Sequence, residues 1–185
     1  MRAFIAVEIG EDQRAKLGKL IGTLKKIGAD VKFVEPENLH LTLKFLGEVD
    51  ENALETARKG CEKAVEKFAG FKMSLKGVGA FPNWDYAKVL WAGVEQGAEE
   101  LIELQEEIDA QVNVGKIGAM KFSPHVTIGR VKSIGEMEKL LSALRKFENS
   151  DFGEVEVKEV KIRKSELAAD SPVYSDLASI SLNKR

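Results

Sequence analysis

The chain of 185 residues has few of the residues that staple a fold or build a metal cluster: one cysteine, two histidines and four prolines. The single cysteine, Cys61, excludes a disulfide within the chain and a cysteine-based metal site, so the sequence carries no mark of an oxidising compartment. The sequence also lacks an apolar run of about 18 residues and the apolar region of a signal peptide. We therefore expect a cytoplasmic protein with no membrane partner.

The chain also lacks a strong charge of either sign, because 28 Lys and Arg nearly balance 30 Asp and Glu. This balance argues against broad nonspecific binding to nucleic acid, although a local basic patch would be hidden in the sum. Apolar residues make up 44% of the chain, an ordinary value for a folded protein of this length. The composition predicts a stable fold and leaves a small or terminal RNA target open.

Apolar periodicity predicts strands and helices in alternation. Strands are predicted at 2–9, 39–46, 71–78, 87–94, 124–132, 154–163 and 178–182, and helices at 11–27, from the cap Asp50 to Phe68, at 98–113 and at 134–147. The order strand, helix, histidine strand, helix, strand occurs twice, which indicates a weak ancient duplication. We expect one α+β domain over residues 1–185, made of two related lobes.

The two histidines stand in the same four-residue setting, HLTL at 40–43 and HVTI at 125–128. In an extended strand the side chains of residues i and i+2 project from the same face. His40 therefore shares a face with Thr42, and His125 shares a face with Thr127, while the intervening apolar side chains point to the other face. Each segment is predicted to have a chemical face and a packing face, so we take the two pairs as one shared site.

Two imidazoles and two hydroxyls suit displacement at phosphorus. A neutral histidine accepts a proton near neutral pH and a cationic one donates it, so the pair can serve as base and acid in one reaction. Threonine hydroxyls can donate hydrogen bonds to the charged phosphoryl oxygens. The main alternative is zinc, which would need a third ligand from Asp or Glu because no other histidine or cysteine is available.

Two basic residues near these motifs are further candidates. Arg130 could neutralise charge that develops on a phosphate, but strict alternation places it on the face opposite His125 unless the strand bulges near Gly129. Lys44 shares the His40 face by alternation. It is either a contact for phosphate or RNA, or a solvent-exposed lysine at the end of the strand.

Other features give weaker signals. Three aromatic residues could stack on a base, although loop or core packing is the interpretation that we favour for each: Phe81, Trp84 and Tyr86. Gly77 and Gly79 lack the third glycine of a dinucleotide loop, so we expect a turn there. GKIG at 115–118 lacks the Ser or Thr of a phosphate-binding loop.

Taken in order, the motifs resemble one known family. RAFIAVEI near the start, LHLTLKFLGEV, GVGAFPN followed by KVLWAGV, and SPHVTIGR are similar to segments of the RNA 2′,3′-cyclic phosphodiesterases, formerly called 2′-5′ RNA ligases, of the two-histidine phosphoesterase superfamily. The similarity spans most of the chain. It implies an α+β, bilobal fold with two pseudo-symmetric lobes, in which antiparallel sheets flanked by helices surround a central cleft that both motifs face.

The resemblance also implies an activity and a role for each residue. A terminal cyclic phosphate of RNA would be opened to a 2′-phosphomonoester without metal. Apart from the resemblance, we expect no cofactor and a monomer, and we consider tRNA halves as one candidate substrate. His40 would donate a proton to the leaving 3′-oxygen and His125 would activate water, although the two could exchange roles when the reaction runs in reverse. Thr42 and Thr127 would hold the phosphate.

Two other functions use the same residues. An RNA ligase would join the cyclic phosphate to a 5′-hydroxyl through a 2′-5′ linkage, and a nucleotide- or RNA-binding module would hold the end without turnover. Product analysis separates the first from a hydrolase, and tight binding without product identifies the second.

Overall fold

A computed structural model describes residues 1–115 and 121–184. The described residues form nine strands, four α-helices and one 3₁₀ turn: β1 (Arg2–Glu8), α1 (Glu11–Lys25), β2 (Val31–Phe33), the 3₁₀ turn (Pro36–Asn38), β3 (His40–Glu48), α2 (Glu51–Val65), β4 (Phe71–Phe81), β5 (Val89–Val94), α3 (Ala98–Gln111), β6 (His125–Val131), α4 (Met137–Arg145), β7 (Asp151–Val157), β8 (Glu159–Leu167) and β9 (Pro172–Ser181). All four predicted helices are present, with ends that agree within about a turn. None of the described helices is long and apolar enough to cross a membrane.

The strands form two antiparallel sheets. The first sheet has the order β3-β1-β8-β9, and the second has the order β2-β6-β5-β4-β7. Every neighbouring pair is antiparallel. The expected α+β class is therefore confirmed, with one histidine strand in each sheet: β3 at an edge of the first and β6 inside the second.

Two of the four helices cross from one sheet to the other. Helices α2 and α3 pack together and contact β9 and β3 of the first sheet, whereas α1 contacts β7 and α4 contacts β4 of the second. Helix α1 follows a strand of the first sheet and α3 follows a strand of the second, so each packs on the sheet that it did not leave. Because of this exchange, apolar residues from both sheets and all four helices join in one continuous core.

Local sequence explains why these elements form where they do. The α1 stripe predicted from periodicity is buried, with Leu17, Leu20 and Leu24 each at most 2% exposed. The Asp50 side chain accepts a hydrogen bond from the backbone N–H of Ala53 at 2.8 Å, as expected for an N-cap, and so fixes the start of α2.

Two strand predictions at the C-terminal end were wrong in their bounds. The segment 154–163 is two strands, since β7 ends at Val157 in the second sheet and β8 begins at Glu159 in the first. The apolar alternation changes phase at the break, from Val155 and Val157 to Val160 and Ile162, so one continuous strand could not bury both pairs on one face. The last strand begins at Pro172 rather than near 178, because as an edge strand it tolerates proline and largely exposed residues.

The glycine segment KGVGAF lies within β4 and does not form the expected turn. Gly77 has φ of +75°, and the pairing of β4 shifts register next to it on both sides. A left-handed residue therefore makes a bulge in a continuous strand instead of reversing it. Of GKIG, residues 116–118 lie outside the described part of the chain. Strand β2, with three residues, is too short to give a periodic signal.

Two helical glycines should respond in opposite ways to alanine. A Cβ at Gly60 of α2 would lie 2.6 Å from the carbonyl oxygen of Gln111, whereas a Cβ at Gly22 of α1 would have no described atom within 4 Å. We expect Gly60→Ala to lower the free energy of unfolding by about 1–3 kcal/mol, because the backbone at Gly60 and the backbone at Gln111 must move apart. Gly22→Ala should raise it by about 0.5–1 kcal/mol through helix propensity. Urea denaturation followed by circular dichroism measures both changes. A Gly60→Ala variant as stable as Gly22→Ala would contradict the close packing of Gly60 against Gln111.

Candidate active site

Strand β3 presents two different faces. Leu41 and Leu43 are at most 3% exposed and face the core, whereas His40 and Thr42 are only partly buried. Strand β6 repeats this arrangement, with Val126 and Ile128 fully buried between partly buried residues. The packing faces predicted from alternation are therefore present in both strands.

Hydrogen bonds fix the tautomer of His40. Its Nδ1 lies 2.7 Å from the backbone carbonyl of Asn38, and its Nε2 lies 2.9 Å from Oγ1 of Thr42. A carbonyl oxygen only accepts, so we assign the proton of the neutral ring to Nδ1. Nε2 is then an acceptor, and the Thr42 hydroxyl donates to it.

His125 is held in the same way. Its Nδ1 lies 2.8 Å from the carbonyl of Ser123, again the residue two positions earlier. The neutral ring therefore also carries its proton on Nδ1 and leaves Nε2 unprotonated. Thr127 shares the His125 face by alternation. Both lobes thus direct the same atom of the same tautomer away from the backbone.

The two histidine strands meet although they belong to different sheets. Strands β3 and β6 pack against each other, and the charge of His125 is felt at His40, where it helps to lower the pKa. The two imidazoles are consequently close enough for the charge of one to affect the other. The structure brings together the pair that the sequence predicted to act together.

Burial lowers the pKa of both histidines. Loss of solvation is the largest cause at each ring, and the carbonyls of Asn38 and Ser123 partly oppose it. The charge of Arg163 lowers the pKa of His40 further, and Arg130 does so for His125. Each ring in the unliganded protein is therefore poised to be neutral at pH 7 and to accept a proton when a negative charge approaches.

Aromatic rings pack against each imidazole. The ring centroid of Phe4 lies 4.9 Å from that of His40, and Tyr174 meets the same imidazole edge-on at 5.3 Å. In the other lobe Phe81 meets His125 edge-on at 4.9 Å. Phe4 and Tyr174 were missed by the sequence analysis, because they reach His40 only through strand pairing.

The three aromatic candidates of the sequence differ in environment. Phe81 packs against the His125 ring and against Trp91, at 5.2 Å between centroids. Trp84 packs under the Arg145 guanidinium at 4.5 Å, away from both imidazoles. Tyr86 is 62% exposed in the loop after β4. Packing therefore accounts for Phe81 and Trp84, as favoured from the sequence.

Both histidine strands carry a bulge at the same place. The pairing of β3 with β1 skips Leu43, and the pairing of β6 with β5 skips Ile128. The extra residue reverses the alternation that follows. The two six-residue stretches consequently have the same burial order, in which the fifth residue is buried and the sixth is exposed.

The bulge decides the position of the two basic candidates. Arg130 turns toward the His125 face, and its charge influences the pKa of both His125 and Tyr174, which lie on different sheets. Lys44 turns away from the cleft, so both alternatives given for it were wrong. It is 6% exposed and its ammonium donates to Asp109 at 2.7 Å and to the Val112 carbonyl at 3.2 Å.

A charged group that the sequence analysis missed lies beside His40. Lys161 contacts Glu8 at 3.2 Å and Asp176 at 2.9 Å, and Nε of Arg163 donates to Asp176 at 2.9 Å. At His40 the charge of Arg163 lowers the pKa and that of Glu8 raises it. The alternation of β8 puts Lys161 and Arg163 on one face, but only the pairing of β8 with β1 brings them to His40.

The arrangement can carry out acid–base chemistry at a bound anion. Two imidazoles with unprotonated Nε2 atoms lie on strands that pack together, with the Thr42 hydroxyl beside one and the Arg130 charge acting on the other. For the zinc alternative, residues 1–115 and 121–184 contain no group of three or more His, Cys, Asp or Glu placed to hold a metal ion.

Comparison with known proteins agrees with this arrangement. The model of the family described as "LigT like Phosphoesterase" matches residues 7–91 and 93–174, and each stretch contains one histidine motif. A protein of Methanothermobacter thermautotrophicus named RNA 2′,3′-cyclic phosphodiesterase is 38% identical over 96% of both chains. A protein of the same name from Methanocaldococcus jannaschii is 39% identical over 94% of this chain and 96% of its own.

A solved structure shares the fold. TT0787 of Thermus thermophilus superposes with a TM-score of 0.80 and 31% sequence identity, over 100% of this chain and 99% of its own. With the family match over both halves, these findings define the class of the protein. The chain belongs to the LigT-like phosphoesterases, a family of the two-histidine phosphoesterase superfamily, and the resemblance read from its motifs is confirmed.

The buried histidines should make stability depend on pH. Each has a folded-state pKa below the ordinary 6.5, so the unfolded chain binds more protons as the pH falls below that value. The contribution of the two rings is complete above pH 6.5 and is lost as the pH falls through 6.5 toward the folded pKa. We expect the free energy of unfolding, measured by urea denaturation, to fall less between about pH 7.5 and pH 5 in the double variant His40→Gln, His125→Gln than in the unchanged protein. Equal losses would mean that the rings titrate normally.

Proposed function

We propose that the chain hydrolyses RNA ends that carry a 2′,3′-cyclic phosphate and releases a 2′-phosphomonoester. The observation that carries this proposal is a pair of imidazoles held through Nδ1 in the same way, on two strands that pack together. The name shared by the two archaeal relatives supports the substrate. One of the two histidines can act as the acid and the other as the base, so no further protein group is needed for proton transfer.

The reaction follows from in-line geometry at phosphorus. Nε2 of neutral His125 takes a proton from water as the water oxygen bonds to phosphorus. The bond from phosphorus to the 3′-oxygen breaks on the opposite side, and Nε2–H of cationic His40 donates its proton to that oxygen. One water is consumed, the 2′-phosphate and a free 3′-hydroxyl result, and solvent returns the protons to their starting positions.

The remaining donors stabilise charge on the phosphate. Thr42 and Thr127 donate from the two strands to the non-bridging oxygens, and the Arg130 guanidinium adds a full positive charge on the His125 side. Thr42 donates to Nε2 of His40 in the unliganded protein, so substrate binding exchanges that hydrogen bond for one to phosphate. This exchange frees Nε2 of His40 to take up the proton that it later donates.

We further propose that the whole chain works as one bilobal domain, as a cytoplasmic monomer, with tRNA halves among its substrates and with no cofactor. The exchange of α1 and α3 between sheets supports the single domain, because each sheet is covered in part by a helix that follows a strand of the other. Incubation of RNA ending in a 2′,3′-cyclic phosphate, with and without a 5′-hydroxyl partner, tests the direction of the reaction. We expect a 2′-phosphate in both cases; a 2′-5′ joined product would identify a ligase, and bound but unaltered RNA a binding module.

Removing either imidazole should slow the reaction by different routes. We expect His40→Asn and His125→Asn each to lower kcat by about 10²–10⁴, the usual contribution of a general acid or base. In a substrate with sulfur in place of the 3′-oxygen, the sulfur can leave as a thiolate without taking up a proton. This substrate should therefore restore much of the rate to His40→Asn and little to His125→Asn. Circular dichroism controls for folding. Rescue of His125→Asn alone would exchange the two roles, and full activity of either variant would exclude the mechanism.

The pH profile should follow from the lowered pKa values. Activity needs one ring cationic and the other neutral, so kcat/KM plotted against pH is bell-shaped and reports the free protein. Because burial lowers the pKa of both rings, we expect the midpoint of the bell below pH 6.5. Arg130→Gln removes a charge that lowers the pKa of His125, so one limb should move to higher pH. A midpoint above pH 7 would contradict this electrostatic description.

A further inference from the structure

The two lobes share a backbone plan but differ at one side chain. After the bulge, β3 presents Phe45 where β6 presents Arg130, and the six-residue burial order is otherwise the same. Phe45 is 64% exposed and lines the same cavity as His40. An exposed ring on the His40 side and a guanidinium on the His125 side make the cleft chemically asymmetric.

A cavity of about 240 Å³ opens beside His40. The rings of Phe4, Phe45 and Tyr174 form much of its lining, together with Pro172 and Ser165. Pockets for drug-sized ligands measure about 300–1,000 Å³, so this one suits a smaller group such as a single base. Aromatic walls of this kind are how proteins hold the unstacked bases of single-stranded RNA.

In-line displacement decides which side of the phosphate the nucleoside occupies. The attacking water and the leaving 3′-oxygen lie on opposite sides of phosphorus, and the 3′-oxygen belongs to the ribose of the terminal nucleotide. If His40 gives the proton to that oxygen, the ribose lies on the His40 side. The aromatic cavity lies on that side, within reach of the base.

Arg2 stands where the RNA strand would leave this cavity. It lines both the cavity beside His40 and an adjoining outer cavity that also contains Lys164 and Glu48. It pairs across strands with Ser165 and Glu48 and shares the face of Phe4 by alternation. Arg2 is exposed and makes no ion pair within 4.0 Å among the described residues, and no carboxylate lines the inner cavity. A guanidinium placed in this way suits a phosphodiester.

We propose, building on the function proposed above, that this surface binds the last two nucleotides of an RNA strand. The base of the terminal nucleotide stacks on Phe45, and Arg2 holds the phosphodiester on its 5′ side. The protein therefore selects the end of an RNA strand over a free nucleoside 2′,3′-cyclic phosphate. Arg130 has no part in this selection, because it lies on the side from which water attacks.

The test compares a nucleoside 2′,3′-cyclic phosphate with a dinucleotide that ends in the same group. We expect Phe45→Ala to lower kcat/KM for both by roughly 5- to 150-fold, the usual effect of losing one stacked base. Arg2→Gln should lower kcat/KM for the dinucleotide by about 3- to 30-fold more than for the mononucleotide, because only the dinucleotide has the second phosphate.

Matched variants control for the loss of an exposed ring or a charge. Tyr86→Ala removes an exposed ring from the loop after β4, and Lys59→Gln removes an exposed cation from α2. Neither should change the preference for the dinucleotide. If Tyr86→Ala lowers kcat/KM and Phe45→Ala does not, the base lies elsewhere and the proposal is wrong. The proposal is equally wrong if Arg2→Gln affects both substrates alike.

Binding of the product separates this proposal from the proposed activity. A dinucleotide that already ends in a 2′-phosphate binds without turnover, so its Kd can be measured by calorimetry even if the protein hydrolyses nothing. Arg2→Gln should reduce the slope of log K against log salt by about 0.7, the value for one phosphate contact on a single strand. Phe45→Ala should weaken binding at every salt concentration. An unchanged slope, or no binding by the unaltered protein, would overturn the proposal whatever the activity assay gives.

Discussion

The site depends on one hydrogen bond that occurs twice, from the Nδ1–H of each histidine to the backbone carbonyl two residues earlier. At 2.7 and 2.8 Å these bonds fix the tautomer and the rotation of both rings without using another side chain. Because the acceptor belongs to the same short segment as the ring, each segment orients its own histidine. The rest of the fold must then bring the two segments close together.

The bulges explain how two similar lobes serve an asymmetric reaction. The skipped residues Leu43 and Ile128 shift the alternation by one, so the second residue after each of them is exposed on the histidine face in both strands. Nothing in that backbone geometry specifies its chemistry. A ring at Phe45 and a guanidinium at Arg130 therefore divide the cleft into a side suited to a nucleoside and a side suited to charge that develops on phosphate.

The packing of the helices accounts for the rigidity that such a site needs. Helices α1 and α3 each leave one sheet and pack on the other, so a movement that separates the histidine strands must also disturb the common core. Buried Lys44 reinforces this link, because it ties β3 to Asp109 of α3 and to the Val112 carbonyl that follows. A side chain that alternation placed on the His40 face instead links the buried face of β3 to α3.

The sequence predicted what depends on local period and missed what depends on pairing. The shared faces of the two His and Thr pairs follow from a period of two, which any extended strand imposes. Phe4, Arg163 and Tyr174 reach His40 from strands far along the chain, so no local pattern reveals them. Lys44 was misplaced because a bulge inverts the pattern without leaving a proline or a polar break in the sequence. The boundary between β7 and β8 did leave a signal, because the polar residues Lys158 and Glu159 separate two apolar alternations of opposite phase.

The central claim is that both rings are held as the Nδ1–H tautomer with Nε2 directed into the cleft. Nitrogen-15 NMR of the histidine side chains tests it directly, since the chain has only two histidines and each ring nitrogen gives its own signal. At about pH 7.5 we expect a protonated Nδ1 and an unprotonated Nε2 on both rings. An Nε2–H tautomer on either ring, or an imidazolium at that pH, would contradict the account.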